Sequence, residues 1–63
     1  MKKLKDLRIK KNIKVKEMAT LLKISEPFYS QIENNQRTLT YKMAKKIASL
    51  LGVKPDDLFY DEF

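Results

Sequence analysis

Apolar side chains recur along this chain at three- and four-residue intervals and nowhere alternate with polar ones, a pattern that encodes helices rather than half-buried strands. Leu4 and Leu7, set among Asp6, Arg8 and several lysines, give a short amphipathic helix over residues 2–11. Asn12 tolerates the left-handed conformation that ends a helix, and Ile13 then folds back onto the core. Met18, Ala19 and Leu22 share one face of a second helix over residues 15–22. Its start is poorly capped, because the Lys14 side chain cannot accept from the free amides there.

Ser25 is the N-cap of a third helix running to about residue 34, with Glu26 near the positive end of the dipole and Pro27 in the first turn. Tyr29 and Ile32 point inward, and Asn35 is the left-handed terminator. Thr40 caps a fourth helix, whose stripe of Met43, Ala44, Ile47, Ala48 and Leu51 is core; Gly52 ends it. Pro55, followed by Asp56 and Asp57, opens a short fifth helix carrying Leu58 and Phe59. The expected fold is all-α, a compact five-helix domain. Residues 15–34 have the order of two short helices joined by a tight turn, the second opening at a capping residue. A helix-turn-helix of that form lays its second helix in the DNA major groove.

Composition narrows the partner. The chain has 63 residues, enough for one domain, and neither cysteine nor histidine. That removes disulfides, thiolate metal sites and the commonest general base, and no glycine-rich phosphate loop is present. No enzyme, metal or cofactor is expected; Asp56, Asp57, Asp61 and Glu62 lack the spacing of a calcium loop. The net charge of +6 is unevenly spread: residues 2–16 carry eight basic side chains against Asp6 alone, whereas the last ten are acidic. A polyanion is therefore expected at one end, nucleic acid before an anionic membrane surface. Neither a signal peptide nor a run of ~20 apolar residues able to span a membrane is evident.

The segments LKDLR at 4–8, MATLL at 18–22, SxxxYSQIENNQR at 25–37 and MAKKIASLLGVKPDDLF at 43–59, in this order and spacing, resemble the phage repressor/Cro-like helix-turn-helix family, also called Xre. The resemblance implies a sequence-specific regulator of transcription, most commonly a repressor that binds a palindromic operator as a dimer. It implies a cytoplasmic, nucleoid-associated protein of a bacterium or phage. By position it implies an ion pair between Arg8 and Glu33, base-edge contacts from Glu26, Pro27 and Gln31, and Phe28 and Ser30 at the groove margin. Asn34, Gln36, Arg37 and Thr38 fall in the loop that holds phosphates. The chain departs from the family pattern at Val15, where a phosphate-binding glutamine is usual, and at Lys23 and Asn35, where glycines are usual.

Chemistry fills in the site. Lys14, Lys16, Arg37, Thr38 and the Asn34 and Asn35 amides can neutralise or bond phosphates, with Ser25 at a helix start beside them. Lys2, Lys3, Lys45 and Lys46 read better as a solvated face. The third helix carries no Arg or Lys, so it lacks the commonest guanine contact. Gln31 can pair with adenine, Glu26 can accept from cytosine, and Pro27 and Phe28 offer apolar surface to a thymine methyl. Each has a plainer alternative: dipole stabilisation for Glu26, helix initiation for Pro27, core packing for Phe28. Leu58 and Phe59 close the core, while Leu58, Tyr60 and Phe63 form the expected surface of a two-fold dimer. The rival to DNA binding is a protein-interaction module on the same scaffold, antirepressor or antitoxin-like, with a regulatory protein as partner.

Overall fold

Residues 1–60 are described by the structure, a computed structural model. They form α1 (Lys2–Lys10), α2 (Val15–Leu22), α3 (Glu26–Glu33), α4 (Tyr41–Leu50) and α5 (Pro55–Phe59), and no strand occurs among them. The third and first helices stop one residue earlier than the pattern suggests, at Glu33 and Lys10. In both cases a carbonyl-capping turn closes the helix before the left-handed residue is reached.

That turn is used four times. After α1, Asn12 takes φ 58°, and the Asn12 and Ile13 amides donate to the carbonyls of Ile9 and Arg8. The same pairing recurs with left-handed Lys23 (φ 59°), Asn35 (φ 57°) and Gly52 (φ 72°) after α2, α3 and α4. This is the Schellman closure, in which two otherwise orphaned carbonyls are satisfied and the next residue turns back to the helix. The returning residues Ile13, Ile24 and Val53 pack against the core. Three of the four stops thus contribute an apolar contact as well as a change of direction, while the α3 stop returns through the exposed Gln36.

Four of the five helix starts, those of α2 to α5, are satisfied in two ways. Ser25 Oγ accepts from the Phe28 amide and Thr40 Oγ1 from the Met43 amide, both at 3.2 Å. Where lysine precedes the helix, the third helical residue reaches back instead: Glu17 accepts from the Lys14 N–H at 3.1 Å, and Asp57 from the Lys54 N–H at 3.0 Å. The start of α2 is therefore not left open, because a carboxylate inside the helix supplies the reciprocal half of a capping box.

Packing joins α2 to α3, α4 to α5, and α1 to both α3 and α5. Leu4, Met18, Tyr29, Ile32, Ile47, Leu51 and Phe59 are the large side chains at its centre, each essentially inaccessible. Leu39, from the loop before α4, joins them. With α1 behind it and α2 beside it, α3 has one face fixed and the other turned outward.

Candidate nucleic-acid interface

Helix α3 divides cleanly. Tyr29, Ile32 and Glu33 are buried, whereas Glu26 and Pro27 are exposed and Phe28, Ser30 and Gln31 are half-buried. The turn from α2 to α3 is three residues, Lys23 to Ser25, and its geometry rests on the left-handed Lys23 and on the Ser25 cap. The residues expected at base edges are therefore brought together at the outer face of one helix.

The inner face is locked by charge. Arg8 Nε and Nη2 donate to the Glu33 carboxylate at 2.7 and 3.3 Å, and Nη1 donates to the Ile13 carbonyl at 2.7 Å. Both side chains are buried, so this pair is bidentate and shielded from solvent. The hydrogen bond to Glu33 holds the Arg8 guanidinium still further above its ordinary pKa. One arginine thus ties α1, the α1–α2 loop and the end of α3. The amino group of Met1 also donates to the Glu33 carbonyl at 2.8 Å, a cation placed at the negative end of the α3 dipole. Beside the pair, the Tyr29 hydroxyl is buried without a hydrogen-bond partner of ordinary geometry. Burial first, and the neighbouring Glu33 carboxylate second, push it far above the usual tyrosine range.

The loop from α3 to α4 begins where that lock ends. Asn34, Asn35, Gln36, Arg37 and Thr38 are all exposed, and Asn34 Nδ2 donates back to Ser30 Oγ at 3.4 Å. Lys14 and Lys16 are exposed at the start of α2. A shallow depression lined by Lys5, Val15, Ser30 and Asn34, with Arg8 and Glu33 at its floor, joins α1, α2 and α3. Lys5 reaches this surface although sequence reasoning singled it out for nothing. In the sequence it is one of several lysines of α1, and nothing in the pattern sets it apart from them.

Arg37 departs most from its expected setting. Its guanidinium lies over the Phe28 ring, 4.2 Å from the centroid, and its Nε donates to Gln31 Oε1 at 3.1 Å. A loop residue and two α3 residues thereby form one cluster. At the other end, Leu58 is buried with Phe59 and Tyr60 is 74% exposed; Phe63 lies outside the described residues. Of the three aromatic-end residues, Tyr60 is the one shown to face outward. Among the described residues no group of acidic side chains is arranged to hold a metal ion. No helix among them is long and apolar enough to cross a membrane.

Two short helices joined by a three-residue turn, the second capped by serine and exposing one face beside a cationic loop, define a helix-turn-helix DNA-binding protein. The family model described as Helix-turn-helix matches residues 4–58, and the chain belongs to that family, the phage repressor-like and Xre-like regulators of transcription that bind DNA. No curated protein and no solved structure matches the chain.

Proposed function

We propose that the chain is a sequence-specific repressor that binds a palindromic operator as a dimer, one α3 in the major groove of each half-site. The observation that carries this reading is the division of α3: a buried face pinned by Arg8 and Glu33, and an outer face presenting Glu26, Pro27, Phe28 and Gln31. Lys14, Lys16, Ser25 and Ser30, with the 34–38 loop, flank that face on the sides where a phosphate backbone would run. The setting is bacterial or phage cytoplasm. Selection of bound sites from random duplexes tests it. The expected product is an inverted repeat with half-site centres about 34 Å apart; a bound pool with no enriched motif overturns it.

A second reading has its own support. A groove between the end of α2 and α4 is lined by Leu21, Leu50 and Ser49 and rimmed by Lys23, Lys45 and Lys46. Leu21 is 56% and Leu50 39% exposed, an apolar seam suited to an acidic regulatory protein. Leu21→Glu would abolish such a complex while leaving DNA binding intact. If it abolishes neither, the groove binds no such partner.

A further inference from the structure

The outer face of α3 has a chemical gap. Its sequence, EPFYSQIE, contains no cationic side chain, so nothing carried by the helix itself can make the bidentate arginine–guanine contact that dominates major-groove recognition. The cluster of Phe28, Gln31 and Arg37 sets a cationic side chain against that face from outside the helix.

Phe28 and Gln31 are three residues apart and therefore neighbours on one face. The Arg37 guanidinium rests on the first, 4.2 Å from its ring centroid, and bonds the second through Nε. The ring contact holds the guanidinium against α3, and the Nε bond limits its rotation there. Nη1 and Nη2 have no partner among the described residues. They form the free, two-donor edge of a side chain already ordered along α3.

The same bond changes what Gln31 can read. A guanidinium only donates, so the Gln31 atom facing Nε is its carbonyl oxygen, and the amide NH2 is the end left for a ligand. Bidentate pairing with adenine needs that oxygen to accept from N6 while the NH2 donates to N7. Arg37 takes one of that oxygen's two lone pairs, so the surface that Gln31 and Arg37 present together is dominated by donors. Two adjacent acceptors in the major groove, N7 and O6, are the signature of guanine; adenine sets a donor beside its N7.

We infer that Arg37, although carried by the α3–α4 loop, is the guanine-reading residue of this protein, presented to the major groove by the Phe28 ring and the Gln31 carbonyl. This rests on the DNA-reading function proposed above. It assigns to Arg37 a specificity role in place of a phosphate contact, and to Gln31 a share in reading guanine in place of adenine.

Site selection with the wild-type chain and with Arg37→Lys separates these roles. Lysine keeps the charge, and with it any phosphate contact, but loses the planar fork. The expected wild-type half-site contains an invariant guanine. In Arg37→Lys the preference for guanine over adenine at that base falls about ten- to a hundredfold. The dependence of affinity on salt stays the same, because no charge is removed. Replacing the guanine by 7-deazaguanine weakens the wild type more than it weakens Arg37→Lys, in which Gln31 alone keeps its place at N7. Phe28→Leu, with its fold checked by thermal melting, shows the same loss of preference because the guanidinium has lost its platform. Arg37→Lys enriching the wild-type motif, or a wild-type motif without guanine, overturns the inference and leaves the DNA-reading function standing. A wild-type chain that enriches no motif overturns that function, and the Arg37 assignment falls with it.

Discussion

Among the described residues, Arg8 and Glu33 are the charged side chains that the fold buries, and they bury each other. Taking one away strands the other in a low-dielectric site, at a cost of about 3–5 kcal/mol. Total stability in domains of ordinary size is roughly 5–15 kcal/mol, so Glu33→Gln should lose a large part of it. Urea denaturation measures this, and a loss below about 1 kcal/mol would mean that the pair behaves as two solvated charges. The double change Arg8→Met with Glu33→Leu should recover much of the loss, because no unpaired charge then remains. Tyr29 beside them makes the opposite prediction. Its hydroxyl is buried without a partner, so Tyr29→Phe should be neutral or stabilising by up to about 1 kcal/mol. The hydroxyl's pKa is raised in the fold above the ordinary value of 10.0, so the folded state holds that proton more tightly than the unfolded chain. The neutral hydroxyl therefore costs the fold nothing by titration below that pH, and the fold loses stability as pH rises above it, because ionisation favours the unfolded chain. Alkaline titration followed by circular dichroism should show Tyr29→Phe losing less stability than the wild type over that range. Identical alkaline profiles would contradict the assignment.

At the level of elements, the connections carry strain that can be relieved. Lys23 holds φ 59° in the turn between α2 and α3, a conformation that costs a residue with a Cβ roughly 1 kcal/mol. Lys23 is exposed, so Lys23→Gly removes little packing and should raise stability by up to about 1 kcal/mol, or roughly 4–8 °C in a domain of this size. Thermal melting tests this; a fall in Tm would mean that the extra freedom glycine gives the unfolded chain outweighs the relieved strain. The turns also show what a sequence can and cannot carry. Ser25, Thr40, Asn12, Asn35 and Gly52 act through their own backbone or nearest neighbours, so their roles were readable in order along the chain. The Glu17 and Asp57 bonds reach backward to a preceding lysine that has no capping oxygen of its own, and a forward reading of caps overlooks them. The helix pattern located α3, and the family resemblance pointed to its reading face. What escaped was the Arg37 side chain: it lies six residues from Gln31, beyond the helix, and only the left-handed Asn35 brings it back over Phe28. No periodicity records a contact made across a turn.

For the whole molecule, size limits how two copies can meet on DNA. The described residues extend 25 Å along their longest axis, whereas half-sites read from one face of a duplex are about 34 Å apart. Two protomers centred on adjacent half-sites would therefore touch at their rims, through side chains that project, of which Tyr60 is the most exposed large apolar example. A contact of that kind falls short of the roughly 1,000 Å² expected of a stable interface. The protein proposed here as a dimeric repressor should accordingly sediment as a monomer at low micromolar concentration and pair on the operator, where the DNA supplies the effective concentration. Binding to the palindrome should be steeper than binding to one half-site, and Tyr60→Ala should flatten it without changing affinity for the isolated half-site. Inserting five base pairs turns the second half-site to the opposite face of the helix and should abolish the cooperativity altogether. Half-site occupancies that stay independent in the wild type would remove pairing from the mechanism. A stable dimer free of DNA would instead place the interface on a larger surface than the rim around Tyr60, with the seam at Leu21 and Leu50 the next to be tested.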